Sequence, residues 1–132
     1  MATGFENLNV WKECRLLRIY VSKTAKAFPS EEKYLLVSQL LRSSRSITAN
    51  IAEGDGRFHY QENIQFCRQA RGSLKETLDH FICAFDEEYI TEDTLKEFKA
   101  KYDNCLLLLN GYISYLKIEK GRRLKVAIKL NN

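Results

Sequence analysis

Residues that form turns are scarce in this sequence, since one proline and six glycines occur among 132 residues. A β-sandwich or barrel of short strands needs frequent turns, so their scarcity argues against such folds and favours a few long helices. Apolar runs are also short, and none approaches the roughly 20 residues that a membrane-spanning helix needs. The first residues, Met1 to Glu6, contain neither a basic start nor an apolar core. We therefore expect a cytoplasmic protein with no signal peptide and no membrane partner.

Residues that bind metals or perform catalysis are also sparse. The cysteines are Cys14, Cys67, Cys83 and Cys105. No two have the CxxC spacing of zinc and redox sites, so we expect four small buried hydrophobic residues. The only histidines are His59 and His80, and neither lies in the Glu-x-x-His motif of di-iron bundles. Two isolated histidines also give little support for a nucleophilic triad, and His80 beside Asp79 is expected to be a solvated helix residue. The sequence therefore predicts no catalytic residue, metal, cofactor or enzymatic activity.

Charge is distributed unevenly along the chain. The net charge is +4, with 29% charged and 45% hydrophobic residues, a composition that predicts a folded core. From Lys117 onward there are six basic residues and one acid, whereas residues 1–116 carry fifteen basic and sixteen acidic residues. The segment 86–103 contains seven acids and three lysines. The molecule should therefore have an acidic zone and a basic C-terminal end.

Four stretches have apolar residues at the three- and four-residue spacing of amphipathic helices. The first two are predicted at about residues 8–28 and 30–54, the third begins near Tyr60, and the fourth lies between Thr91 and Gly121. Ser30 and Thr91 are the expected N-caps, and the second helix should stop near Gly54-Asp55-Gly56, because glycine is the usual residue for the left-handed angle after a helix. Short connections force neighbouring helices to be antiparallel. The predicted fold is an all-α, up-down-up-down four-helix bundle.

The C-terminal segment 121–132 has a different pattern. From Leu124 to Leu130 the even positions are apolar, and Lys125 and Lys129 lie between them. This alternation is typical of a strand, but a lone strand cannot bury one of its faces. The segment is predicted either to be disordered or to become ordered by pairing with a subunit, a partner protein or nucleic acid. We accordingly divide the chain into a bundle domain, residues 1–120, and a basic tail, residues 121–132.

The second helix has an unusually polar middle, and its polar and small residues form a candidate structural motif with partners on the third helix. The motif comprises Arg42, Arg45, Asn50, Glu53, Gly54, Gly56, Gly72 and Glu76. The antiparallel register places Arg42 near Glu76 and Glu13 near Arg45, and Gly72 is expected to permit close helix packing. The charged members form either a buried ion-pair network that fixes helix register or, for some arginines, a surface for phosphates.

Basic residues near the C-terminus and on the helices are the candidate nucleic-acid contacts. They are Lys117, Lys120, Arg122, Arg123, Lys125, Lys129, Arg57, Arg68 and Arg71. Phe58 and Tyr60 lie beside Arg57 at the turn between the second and third helices. These two aromatic residues either stack on bases or cover the end of the bundle or an oligomer contact. The run Gly54-Asp55-Gly56 has no preceding strand and no following GK[ST], so we reject a nucleotide P-loop.

Several motifs resemble those of a known bacterial family. They are Phe5-x-x-Leu8-x-Val10-Trp11-Lys12, Phe28-Pro29-x-x-Glu32-x-Tyr34, Arg42 with Ser46-Ile47, Asn50-Ile51-Ala52-Glu53-Gly54-x-Gly56-Arg57, and Ala70-x-Gly72-Ser73-Leu74-x-Glu76. Over about residues 5–118 the chain resembles the four-helix bundle proteins encoded in intervening sequences of 23S ribosomal RNA genes. Leu35 follows Tyr34 where family members often have glycine, and the tail from Gly121 lies outside the family core.

The resemblance implies an antiparallel bundle that assembles as a ring-like homopentamer and has no enzymatic activity. The family has been described as ribosomal-protein-like. It is also similar to the accessory variability proteins of diversity-generating retroelements, which bind a reverse transcriptase and nucleic acid. Two hypotheses follow. The first is a non-enzymatic oligomer that binds structured RNA electrostatically. The second is a protein-interaction scaffold, such as a retroelement accessory protein that binds a reverse transcriptase.

Overall fold

The computed structural model describes residues 4–131, and its regular secondary structure there is entirely helical. The helices are α1, Asn9–Ala25; α2, Leu36–Asp55; α3, Tyr60–Asp86; and α4, Glu92–Asn131. Short 3-10 turns at Phe5–Asn7 and Ser30–Glu32 precede α1 and α2. Each helix packs on the next along the chain, and α1 also packs on α4. These contacts close a ring of four helices, so the all-α class predicted from the sequence is confirmed.

The core is built from the apolar stripe of each helix. Fully buried side chains include Leu17 on α1, Ile47 on α2, and Leu74 on α3. Phe81 of α3 stacks on Phe98 of α4, with ring centroids 4.0 Å apart. Burying side chains of this size stabilises a fold by about 1.5–3 kcal/mol each, so the apolar stripes hold the four helices together.

The start of α2 differs from the prediction. Ser30 lies in a 3-10 turn, and α2 begins at Leu36. A carboxylate oxygen of Glu32 accepts a hydrogen bond from the Leu36 backbone N–H at 3.0 Å and satisfies one of the free N–H groups of the first turn. The other carboxylate oxygen accepts a hydrogen bond from the Tyr89 hydroxyl at 3.1 Å. Glu32 therefore does the capping that was predicted for Ser30 and also joins two loops at one end of the bundle.

The N-cap of α4 agrees with the prediction. The Thr91 hydroxyl oxygen accepts a hydrogen bond from the Thr94 backbone N–H at 3.2 Å. This bond satisfies an N–H group in the first turn of α4, as an N-cap residue should.

Two glycines have roles different from those predicted. Gly54 is buried within α2, which ends at Asp55 as predicted, but no described glycine has a positive φ, so the left-handed angle is wrong. A Cβ at Gly54 would lie 2.6 Å from Asn63 Oδ1 and 2.9 Å from Phe66 Cβ. Gly72 is exposed, and no atom lies within 4 Å of the position a Cβ would take. The close approach of α2 and α3 therefore depends on Gly54, and the packing role predicted for Gly72 is wrong.

The last helix is longer than predicted. Helix α4 continues through Gly121 to Asn131, so both the helix end at Gly121 and the strand or disordered tail are wrong. A glycine inside a helix costs about 1 kcal/mol relative to alanine, and adding residues to a formed helix needs no new nucleation. We call residues 121–131 the α4 extension. The division into domains at residue 120 coincides with no break in secondary structure and stays a prediction.

The two ends of the bundle carry different charges. The α1–α2 and α3–α4 connections lie at one end, because the Tyr89 hydroxyl bonds Glu32. Segments 26–35 and 86–93 meet there and contain seven acids and two lysines, so we call this the acidic end. The α2–α3 turn and the α4 extension lie at the opposite end, which we call the basic end. Among residues 4–131, no helix is both long enough and apolar enough to cross a membrane.

Candidate nucleic-acid interface

A seam of small polar residues joins α2 to α3. Ser43 and Thr77 are buried and share a hydrogen bond of 2.9 Å between their hydroxyl oxygens. One helical turn away, the Ser73 hydroxyl donates to the Ser46 hydroxyl oxygen at 3.0 Å. These short side chains allow the helices to approach, and each buried hydroxyl is hydrogen-bonded, so the seam fixes the register without a buried charge.

The charged part of the predicted motif lies at the surface. Arg42 pairs with Glu76, as the register predicts, but their side chains are 64% and 37% exposed. Arg45 is exposed, and Glu13 accepts a hydrogen bond from the Asn104 side chain at 3.4 Å. Neither Arg45 nor Glu13 forms an ion pair with a residue that the structure describes. The buried four-residue network is therefore wrong, and one exposed pair replaces it.

His80 joins the Arg42–Glu76 pair. Its Nε2 lies 3.0 Å from Glu76 Oε2, and its side chain is 12% exposed, so the solvated histidine expected from the sequence is wrong. The hydrogen bond from His80, followed by that from Arg42, lowers the pKa of the Glu76 carboxyl below its ordinary value. The cluster therefore favours an ionised carboxylate between two basic groups.

Arg57 and its neighbours at the end of α2 are tied to one another. The Arg57 guanidinium lies 3.0 Å from Glu53 Oε1 and 4.0 Å from Glu62 Oε2, and it packs 4.8 Å from the Phe66 ring centroid. Asn50 donates to the Ser46 carbonyl at 2.9 Å. Two acids therefore balance the charge of Arg57, which leaves it a weak candidate for phosphate. Gly56 follows the last residue of α2 with an ordinary φ of −76°.

Arg71 has a neutral partner. Its Nη1 donates to Asn110 Oδ1 at 2.8 Å, across the contact between α3 and α4. This bond holds the guanidinium in place, and no acid among the described residues forms an ion pair with it.

A groove between α3 and α4 gathers three of the predicted basic residues. It has a volume of about 350 Å³ and is lined by Arg68, Lys117 and Lys120 together with Gln61, Ile64, Gly121 and Leu124. The ammonium of Lys120 donates to Gln61 Oε1, and Arg68 and Lys117 have no ion-pair partner within residues 4–131. Three cationic groups therefore surround one groove, although they come from two helices that are far apart in the sequence.

The α4 extension presents the remaining basic candidates. Arg122, Lys125 and Lys129 are three and four residues apart, so they lie on one face of the helix. Arg122 pairs with Glu119 at 2.7 Å, whereas Arg123, Lys125 and Lys129 have no ion pair in the described part of the chain. Each of these side chains is exposed. The extension therefore displays positive charge that no acid among residues 4–131 neutralises.

Arg123 lies near the turn between α2 and α3. With Phe58, His59 and Tyr60 it lines an open cavity of about 400 Å³. Phe58 is 94% exposed, and its ring centroid lies 5.2 Å from that of His59 in an edge-to-face arrangement. We call residues Phe58, His59 and Tyr60 the aromatic turn.

A second cavity of about 330 Å³ adjoins the aromatic turn and contains residues that sequence reasoning missed. Asp55, Asn63, Tyr112 and Tyr115 line it. Asn63 donates to the Tyr112 hydroxyl oxygen at 3.3 Å, and burial raises the pKa of that hydroxyl. No local pattern marks these residues as part of a site, because the helical positions of Asn63 and Tyr112 look like those of ordinary core or surface residues.

The cysteines do not form a site. Cys14, Cys67 and Cys105 are buried, and burial raises the pKa of Cys67 to about 11. Cys83 is exposed, so the prediction of four buried cysteines is wrong for this residue. Among the described residues no group of three or more His, Cys, Asp and Glu side chains could hold a metal ion.

Comparisons with known proteins identify relatives of the bundle. A family model described as 23S rRNA-intervening sequence protein matches residues 6–111. A solved structure of a protein with unknown function, from the S23 ribosomal protein family of Bacteroides thetaiotaomicron, is similar to the chain with a TM-score of 0.73. The two are 24% identical over 79% of this chain and 97% of that chain, a likeness that shows the fold. No curated protein matches the chain.

Proposed function

The chain belongs to the family of 23S rRNA-intervening sequence proteins, and on this premise we propose that it is a non-enzymatic, oligomeric bundle that binds RNA through its basic end. The proposed site is the α3–α4 groove together with the α4 extension. Binding is electrostatic and takes place in the cytoplasm. The family match ends at residue 111, so the proposed site lies largely outside it.

The observation that carries this proposal is the unneutralised charge at the basic end. Arg68, Lys117, Arg123, Lys125 and Lys129 are exposed and have no ion pair within residues 4–131. Each phosphate that such a group contacts releases counterions from the RNA, so affinity falls steeply as salt rises. The contacts position the backbone and carry little sequence information.

Oligomerisation would multiply this effect. Five copies, each with a net charge of +4, would carry +20 on one particle. The ten residues from Gly121 to Leu130 add about 15 Å to α4, and every copy would present this length of helix. A ring of such extensions would contact one RNA at several points, so the copies would bind more tightly together than one alone.

The salt dependence of RNA binding tests the proposal. The basic-end variant changes Arg122, Arg123, Lys125 and Lys129 to alanine. The matched control changes four exposed lysines toward the acidic end, Lys23, Lys26, Lys96 and Lys99, to alanine. Both variants remove four positive charges, so a difference between them reports where the charge lies.

Fluorescence anisotropy of labelled RNA over a salt series gives the slope of log affinity against log salt. The basic-end variant should bind more weakly, and the magnitude of its slope should fall by about 0.7 for each phosphate that it no longer neutralises. The control should keep the slope of the natural protein. An unchanged slope in the basic-end variant would contradict the proposed site.

A protein-interaction scaffold is the second candidate function. Four apolar side chains of the α4 extension, Leu124, Val126, Ile128 and Leu130, are 54–81% exposed and would suit a protein partner such as a reverse transcriptase. A neighbouring reverse-transcriptase gene would favour this function, whereas a location within a ribosomal RNA operon would favour RNA binding. An oligomer that ignores RNA at every salt concentration would also favour the scaffold.

A further inference from the structure

The aromatic turn has the features of a site for a flat ring. Phe58 lies on the turn between two helices, is 94% exposed, and contacts the His59 ring edge-to-face, with the ring centroids 5.2 Å apart. Exposing a ring of this size is unfavourable in water, and a partner that covers it recovers that free energy. Cavities of about 400 and 330 Å³ lie beside it, volumes within the range of small-ligand sites.

The charges around the aromatic turn favour an uncharged ring at one place and a phosphate at another. Glu53 and Glu62 balance Arg57, and Asp55 lines the 330 Å³ cavity without an ion pair among the described residues. The 330 Å³ cavity is therefore unfavourable for a phosphate. Arg57 also lines this cavity, but its charge is already balanced, whereas Arg123 lines the 400 Å³ cavity with the aromatic turn and has no ion pair among the described residues. An uncharged ring fits beside Phe58, and phosphates fit beside Arg123.

We propose that the aromatic turn stacks on an unpaired base, so that the protein selects single-stranded RNA over double-stranded RNA. This inference rests on the proposed function and names the form of RNA that the basic end binds. In a duplex, each base is stacked between its neighbours and its ring face is hidden, whereas single-stranded segments expose bases that stack on aromatic side chains.

Electrostatics alone favours the opposite choice. A duplex has two phosphate strands and a higher charge density than one strand, so a purely electrostatic site binds the duplex at least as tightly. A preference for the single strand therefore requires a contact with the bases. In the described part of the basic end, Phe58 is the aromatic side chain most exposed for such a contact.

The test compares one RNA strand of about twelve nucleotides, a length within the site sizes of single-strand binders. The strand has no self-complementarity and is measured alone and after annealing to its complement. Three variants are used: Phe58→Ala, Phe58→Trp, and the control Tyr34→Ala. Tyr34 is also an exposed aromatic residue, at 81%, but it lies at the acidic end. Circular dichroism checks that each variant keeps its helices.

The natural protein should bind the single strand more tightly than the duplex. Phe58→Ala should weaken single-strand binding by about fivefold or more at fixed salt, without changing the salt slope, because stacking releases no counterions. Phe58→Trp should retain the affinity, and Tyr34→Ala should change nothing.

Equal binding of both RNA forms, or single-strand binding that Phe58→Ala leaves unchanged, overturns the stacking site while the electrostatic function stands. A Phe58→Ala protein that changes oligomeric state in light scattering and keeps its RNA affinity also overturns it, since Phe58 would then be a subunit contact. If neither RNA form binds at low salt, both the stacking site and the proposed function fail.

Discussion

Alanine at position 54 should destabilise the bundle, although alanine is the better helix former. Its Cβ would lie 2.6 Å from Asn63 Oδ1, 2.9 Å from Phe66 Cβ and 3.2 Å from the Asn63 carbonyl oxygen. The last two atoms move only if the α3 backbone moves, and the Asn63 side chain is held by its bond to Tyr112. Helices α2 and α3 must therefore separate where their contact is tightest.

The expected magnitude follows from two opposing effects. Overpacking a well-packed contact costs about 1–3 kcal/mol, and the rigid neighbours place Gly54 in the upper part of that range. Replacing a helical glycine by alanine returns about 1 kcal/mol. We expect Gly54→Ala to lower the free energy of unfolding by about 1–2 kcal/mol.

Gly72→Ala is the matched control. It makes the same chemical change inside α3, at a site where no atom lies within 4 Å of the new Cβ. This variant should raise the free energy of unfolding by about 0.5–1 kcal/mol. Urea denaturation followed by circular dichroism measures both variants against the natural protein. A Gly54→Ala protein as stable as the Gly72→Ala protein would refute the close contact between α2 and α3.

Three further predictions concern stability. The pKa of Glu76 is lowered in the folded state, so its contribution to the free energy of unfolding is complete above its ordinary pKa of 4.5 and is lost as the pH falls through the lowered value. The difference in stability between the natural protein and Glu76→Gln, measured by urea denaturation from neutral pH to pH 3, should therefore disappear at the acid end. A constant difference would contradict this. Glu88, just beyond the end of α3, has a φ of 63°, which glycine adopts at less cost. Glu88→Gly should therefore raise the free energy of unfolding by about 0.5–1 kcal/mol and raise the thermal midpoint. A lower midpoint would show that Glu88 has another stabilising role. Ser43→Ala and Thr77→Ala should each lower the free energy of unfolding by about 1 kcal/mol. Because both remove the same hydrogen bond, a double-mutant cycle should show that the double variant loses less stability than the two single variants added together, and strict additivity would argue against the bond.

The bundle itself could be predicted from the sequence because it depends on periodic patterns. Apolar residues at three- and four-residue spacing mark the stripe that each helix buries, and short connections leave few arrangements for four helices. The same register placed Arg42 near Glu76, where the structure has an ion pair. Register does not reveal depth, so the sequence alone does not show whether this pair is buried or lies at the surface.

Other features depend on tertiary context that a local pattern does not contain. The alternation from Leu124 to Leu130 favours a strand when taken alone, but those residues continue a long helix that is already nucleated. Gly54 and Gly72 are both glycines within helices, and only the packed structure shows which one faces a neighbouring helix. Local propensity is a weak guide wherever packing decides the outcome.

The candidate interface could be predicted only in part. Clusters of lysine and arginine identified the α4 extension, because its excess of basic residues is visible in the sequence. The groove could not be foreseen, since Arg68 and Lys117 meet only when α3 and α4 pack together. For Arg57 the i,i+4 spacing to Glu53 is visible in the sequence, but the second acidic partner, Glu62, comes from the next helix and is brought close only by the fold.

Size-exclusion chromatography with light scattering, with and without total cellular RNA at low and high salt, tests the central claim most directly. One chain weighs 15.4 kDa, so a pentamer has a mass of about 77 kDa, five times that value. We predict a particle near five subunits that gains RNA at low salt and releases it at high salt. An assembly whose mass and absorbance are the same with and without RNA would contradict RNA binding, and a 15.4 kDa monomer would contradict the multiplied charge of an oligomer.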